Sequence, residues 1–211
     1  MSTHREGGWL GHGVLLLHAE PGAVVRWAGK GTLPVYVVPG ERWTAAVPAG
    51  PARTRVPYDH GASVLAARPV PARRRPAIGL WTVDERAVVS VHLPGRSPSR
   101  WVVWTPGAGP DRVGALPVAH SVDLVAAAGL VGSEAVGGIS ALLRDSGGTA
   151  SSLLHDLATA LDLPCAAAVD GAAGSSFEGA RLVQPSASAV ARFNRVVGED
   201  RQLRAELEEG L

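Results

Sequence analysis

At 211 residues, with 46% hydrophobic and 18% charged side chains, the chain can bury a substantial core, which excludes wholesale disorder. Its net charge is +1, and Cys165 is the sole cysteine, which excludes an internal disulfide framework and a thiolate metal cluster. Gly13 to Leu17 is too short for a signal h-region and no apolar run approaches the roughly eighteen residues of a membrane span, so the expectation is a soluble cytoplasmic protein with no membrane partner.

In chain order, residues 1–8 are polar and Gly-rich and read as a loose arm. From Trp9 to about Gly50 the pattern is β-rich. Val14 to His18 reads as a buried strand, Glu20-Pro21-Gly22 as a turn, and Ala23 to Trp27 as a second strand. Gly29-Lys30-Gly31 makes another turn, Val35 to Val38 a third strand and Arg42 to Val47 a weak fourth. Asp59 to Ala67 reads as a helix. Prolines punctuate residues 68–76, which excludes helix and central strand and leaves an Arg/Pro linker.

Ala87 to Val91, a Pro-Gly-Arg turn, Trp101 to Thr105, Pro106-Gly107 and an Ala-rich helix ending near Ala128 then follow in the order of the first stretch. That spacing predicts a duplication: two β-rich pseudo-repeats of about sixty residues, 9–67 and 77–130, each closing with a short helix. Residues 131–184 read as an αα-hairpin and loop. Ser133 starts one helix, 145–149 break it, and a second carries Leu153, Leu154, Leu157 and Leu161. Cys165 to Val169 reads as a short buried strand. Ser186 or Ser188 caps a final amphipathic helix in 185–211, with Val190, Phe193 and Val197 on one stripe and Leu203 and Leu207 on another beyond Gly198. The fold class is therefore α+β, two pseudo-repeats followed by a helical C-terminal region.

No motif completes a catalytic signature. Asp145-Ser146-Gly147-Gly148 matches the string around the nucleophile of trypsin-like proteases, but it falls between two helical segments and reads as a capping loop. Gly29-Lys30-Gly31-Thr32 lacks the glycine a phosphate loop needs, since position 24 is Val24. The seven histidines show no metal-ligand spacing, and no cofactor motif is present. Asp59-His60 and His120 with Asp123 occupy matching places in the two pseudo-repeats. A histidine beside a carboxylate suits proton transfer, yet the same residues suit helix caps.

Charge is unevenly spread. Residues 1–120 hold 14 basic and 7 acidic side chains, and residues 121–211 hold 6 basic and 12 acidic ones. Arg73, Arg74 and Arg75 could then grip an acidic partner or phosphates, or the two halves could simply complement each other. The expected function is a non-catalytic interaction or adaptor protein, without cofactor or metal. It would meet a protein partner or a second copy through Phe193, Leu203, Leu207 and Arg73–Arg75. The alternatives are a small-molecule enzyme with a site between the pseudo-repeats, using Asp59, His60, His120 and Asp123, or a nucleic-acid-binding protein using the basic half.

Overall fold

The computed structural model describes residues 11–209; the side chains of residues 203–205, 208 and 209 are outside that description, as are the expected arm 1–8 and Trp9. The architecture is mixed α and β. β1 (Gly13–Leu17) is buried along its whole length, which explains why it reads as an unbroken apolar run and not as an alternation. Its neighbouring residues on one face, Val14 and Leu16, enter a different cluster from Leu15 and Leu17 on the other.

The segment expected to be a second strand is instead a helix, α1 (Pro21–Ala28). Val24-Val25 favours a strand by residue type, but the positions the chain buries are Val24, Trp27 and Ala28, at i, i+3 and i+4. Pro21 sits in the first helical turn, where its fixed φ suits a helix start. β2 (Val35–Val38) and β3 (Thr44–Pro48) form an antiparallel hairpin, and α2 (Gly61–Ala66) follows. A 3-10 turn at Ala72–Arg74 lies within the Arg/Pro stretch.

β4 (Ala77–Val83) and β5 (Arg86–His92) pair along their full lengths around a two-residue turn. Asp84 and Glu85 there have φ of 47° and 63°, the left-handed pair that a tight hairpin matching the strand twist requires. β6 (Arg100–Thr105) and β7 (Gly109–Asp111) extend the sheet, and α3 (Ser121–Ala128) ends at Gly129 with φ 69°. α4 (Ser133–Arg144) and α5 (Ala150–Ala160) follow, joined by the Asp145–Thr149 loop. The strand expected near Cys165 is a 3-10 turn, Ala166–Asp170. Left-handed backbone at Cys165 and Gly171 bounds it at both ends and leaves no extended run to pair. β8 (Arg181–Val183) and α6 (Ala187–Glu209) complete the chain.

All eight strands form one antiparallel sheet in the order β7-β6-β5-β4-β1-β3-β2-β8. α1 and α2 pack with Leu15, Leu17, Val35, Val37 and Trp81 on one face. α3, α4 and α5 pack with Val14, Leu16, Ile78, Leu80, Val89 and Trp104 on the other. Trp81 and Trp104 are wholly buried, and each such side chain contributes about 3 kcal/mol to the core. The expected duplication does not survive this topology. Matching segments are a helix in one half, Ala23 to Trp27, and a strand in the other, Ala87 to Val91. In addition, a two-fold relating the adjacent antiparallel β1 and β4 would keep α2 and α3 on one face, whereas they lie on opposite faces.

Candidate functional site

The four candidate catalytic residues are helix-start residues. His60 is the N-cap of α2; its Nδ1 accepts from the Ser63 backbone N–H at 3.2 Å, and the Ser63 hydroxyl lies 2.7 Å away. Asp59 precedes it, half-buried. His120 is the N-cap of α3, and its backbone N–H donates to Asp123 Oδ2 at 2.9 Å. The other Asp123 oxygen accepts from the Arg100 guanidinium on β6. Burial alone would raise the Asp123 carboxyl, but the Arg100 and His120 hydrogen bonds and the Arg100 charge outweigh it and hold the group below its ordinary range. Because α2 and α3 lie on opposite faces of the sheet, Asp59 and His60 do not converge with His120 and Asp123.

A second cluster of the right residue types was not apparent from spacing. Ser151 Oγ donates to Asp170 Oδ1 at 2.7 Å and to the Val169 carbonyl at 3.1 Å, while His155 Nδ1 lies 3.2 Å from Asp170 Oδ2. In a nucleophilic triad the histidine stands between serine and carboxylate; here the carboxylate stands in the middle, so the serine has no imidazole base. The group clasps α5 to the following 3-10 turn. Among the described residues, no group of three or more His, Cys, Asp or Glu is placed to hold a metal ion. The Asp145 loop is a connector: Asp145 Oδ1 accepts from Gly147 N–H at 2.9 Å, and Thr149 caps α5 by exchanging bonds with Ser152.

The three linker arginines divide. Arg73 is exposed. Arg74 is 5% exposed and its Nη2 donates to the Ala23 carbonyl at 3.1 Å. Arg75 is half-buried and donates to the Val70 carbonyl at 3.0 Å and to the Ser97 carbonyl. The expected exposed triple cation is therefore a single one, because Arg74 is drawn onto a carbonyl of α1 and Arg75 onto the carbonyls of Val70 and Ser97, each of which precedes a proline.

The remaining expected contact residues, Phe193, Leu203 and Leu207, are all on α6. Ser186 caps it, its Oγ accepting from Ala189 N–H at 3.2 Å. Ala189 is buried and Val190, Phe193 and Val197 are half-buried, with the Phe193 ring edge-on to Tyr58 at 5.6 Å between centroids. Two cavities of about 310 Å³ share those rings. Arg55, Arg195 and Arg201 line one, and Val64, Ala67, Pro69 and the stem of Arg68 line the other. Phe193, expected to meet a partner, is thus largely committed to its own chain. α6 runs through Gly198 without a break, and every described residue from 198 onward is exposed. Leu207 is 62% exposed; the Leu203 side chain lies outside the described set. Val196, 54% exposed, was missed in the sequence. It falls eleven residues before Leu207, about 20° away around a helix, and that spacing was the available signal.

Comparison with known protein families, with curated proteins and with solved structures found no match for this chain.

Proposed function

We propose that the protein is a non-catalytic interaction or adaptor protein that works in the cytoplasm and presents α6 to a protein partner. One observation carries this reading. Past Val197 the helix continues for three turns, and none of its described residues is buried on the chain's own body, while Val196 and Leu207 stand exposed along one side. A helix of low burial needs tertiary or quaternary contacts to be worth its ordering cost, since short helices are marginal alone in water. Exposed apolar side chains on such a helix suit the helix-in-groove mode of recognition. The cytoplasmic assignment rests on the single cysteine, Cys165, in a sequence of 211 residues.

The test is affinity capture from the native host with the full chain and with a chain lacking residues 199–211. A stoichiometric protein partner held by the first and lost by the second supports the reading. Equal capture by both removes α6 from the role, and an enzyme activity abolished by His60→Ala or His120→Ala in a folded chain replaces the reading altogether.

A further inference from the structure

α6 is divided by charge. Residues 187–198 carry Arg192 and Arg195 and no acid, whereas residues 199–211 carry five acidic residues against two arginines. A helix that is basic in its first half and acidic in its second is complementary to an antiparallel copy of itself, because each half then meets the opposite sign twice. Resting on the interaction reading of α6, we propose that the partner is a second copy of this chain, docked through an antiparallel, two-fold pairing of the two α6 helices centred between residues 201 and 202.

The apolar positions fix the register. Val196 and Leu207 lie on one stripe of the helix, about 17 Å apart along its axis. Centring the two-fold between 201 and 202 sets each Val196 opposite the other copy's Leu207, so both exposed apolar side chains are covered at once. The residue before each, Arg195 and Glu206, falls on one flank of that stripe, and a two-fold turns the same flank of each helix toward the other. Arg195 of each copy therefore faces Glu206 of the other. Among the described residues Arg195 has no carboxylate partner within its own chain, and Glu206 accepts only from Gln202 Nε2, at 3.1 Å. Phe193 and Val197, which lie about 60° and 100° round the helix from Val196, form the neighbouring side of α6 and stay against the body at Tyr58, so the second copy docks beside that packing. With two apolar contacts and two ion pairs at the core, association is salt-sensitive.

The experiment is sedimentation equilibrium on the purified full chain at low and high salt. The wild type is expected to dimerise, with association at least about tenfold weaker in 500 mM than in 50 mM salt. Arg195→Glu and Glu206→Arg, both at exposed positions and both required to keep the wild-type circular dichroism, should each weaken the dimer by at least about tenfold, and the double reversal should restore it to within about threefold. Val196→Asp with unchanged circular dichroism should abolish it. A wild type that stays monomeric at every concentration in 50 mM salt overturns the proposal, as does a double reversal no tighter than the single changes. A monomeric wild type that still captures a host protein through residues 199–211 overturns the self-pairing and leaves the interaction reading standing.

Discussion

Arg68 sits over the indole of Trp27, its guanidinium carbon 3.8 Å from the ring centroid, and the same side chain donates to the Trp27 and Ala28 carbonyls. It thereby closes the C-terminus of α1, where unpaired helix carbonyls carry partial negative charge. Burial, with the Arg74 charge adding to it, pushes the Arg68 pKa down to about 10, still far enough above neutrality to keep it charged. Arg68→Ala should lower stability by about 2 kcal/mol, and Arg68→Lys should recover less than half, because an ammonium cannot both stack and fork across two carbonyls. Urea unfolding of the three chains checks this; full recovery by lysine would mean that charge alone matters.

Asp123 joins the start of α3 to Arg100 on β6. Its carboxyl is held below the ordinary range, so it stabilises the fold above the unfolded carboxylate value near 3.9 and loses that contribution as pH falls through the folded value. Asp123→Asn should therefore cost about 1–2 kcal/mol at pH 7, with the gap to wild type closing below about pH 4. A gap independent of pH would show that the side chain acts through packing only.

His92 is 2% exposed on β5, with Ser99 Oγ 2.8 Å from its Nδ1. Burial, assisted by the Arg75 charge, pushes its pKa down to about 4. The unfolded chain takes up a proton near pH 6.5 and the folded chain does not, so stability should fall as pH drops from about 6.5 and level off near 4, by on the order of 3 kcal/mol. His92→Gln should flatten that limb of the profile in chemical denaturation. An unchanged slope would assign the acid sensitivity elsewhere.

His60→Ala removes the acceptor at the α2 cap and should cost about 1 kcal/mol. His120→Ala should cost about 0.5 kcal/mol, less than His60→Ala, since it loses the imidazole's half of the capping box but keeps the bond from its backbone N–H to Asp123. Both variants should retain full function in cells. Loss of function in either stably folded chain would point to chemistry at that residue.

Removal of residues 199–211 should shift the melting temperature by no more than about 2 °C, because no described residue in that stretch is buried. Calorimetry decides it, and a shift of ten degrees would place those residues in the core stability of the chain.

The strands were legible where a buried apolar run or alternation was bounded by Pro and Gly, as at Val35–Val38 and Arg100–Thr105. α1 was not, because the pair Val24-Val25 carries strand propensity while the burial that decides the matter comes from sheet strands far along the chain. The resemblance of the two halves arose from punctuation: both use Pro-Gly turns between short apolar runs, a pattern any antiparallel sheet imposes. The fates of Arg74 and Arg75 depend on which carbonyls the fold brings beside them, and the Ala23 carbonyl of α1, 51 residues away in sequence from Arg74, is in no local pattern. The His60 and His120 caps were foreseeable from residue type alone, whereas their placement on opposite faces required the topology.

β8 reaches the sheet edge from the far end of the chain, pairing Val183 with Val35 and Leu182 with Tyr36. During synthesis the β2 edge must therefore wait, uncovered, until nearly the entire chain has left the ribosome, and the closing contact joins the most distant segments in the sheet. Such late, non-local pairing slows folding and exposes an open edge to other nascent chains in the interval. Stops or breaks before residue 181 would leave β2 as the edge and yield aggregating products, while those after Ser186 would release a sheet whose edge is the three-residue β8.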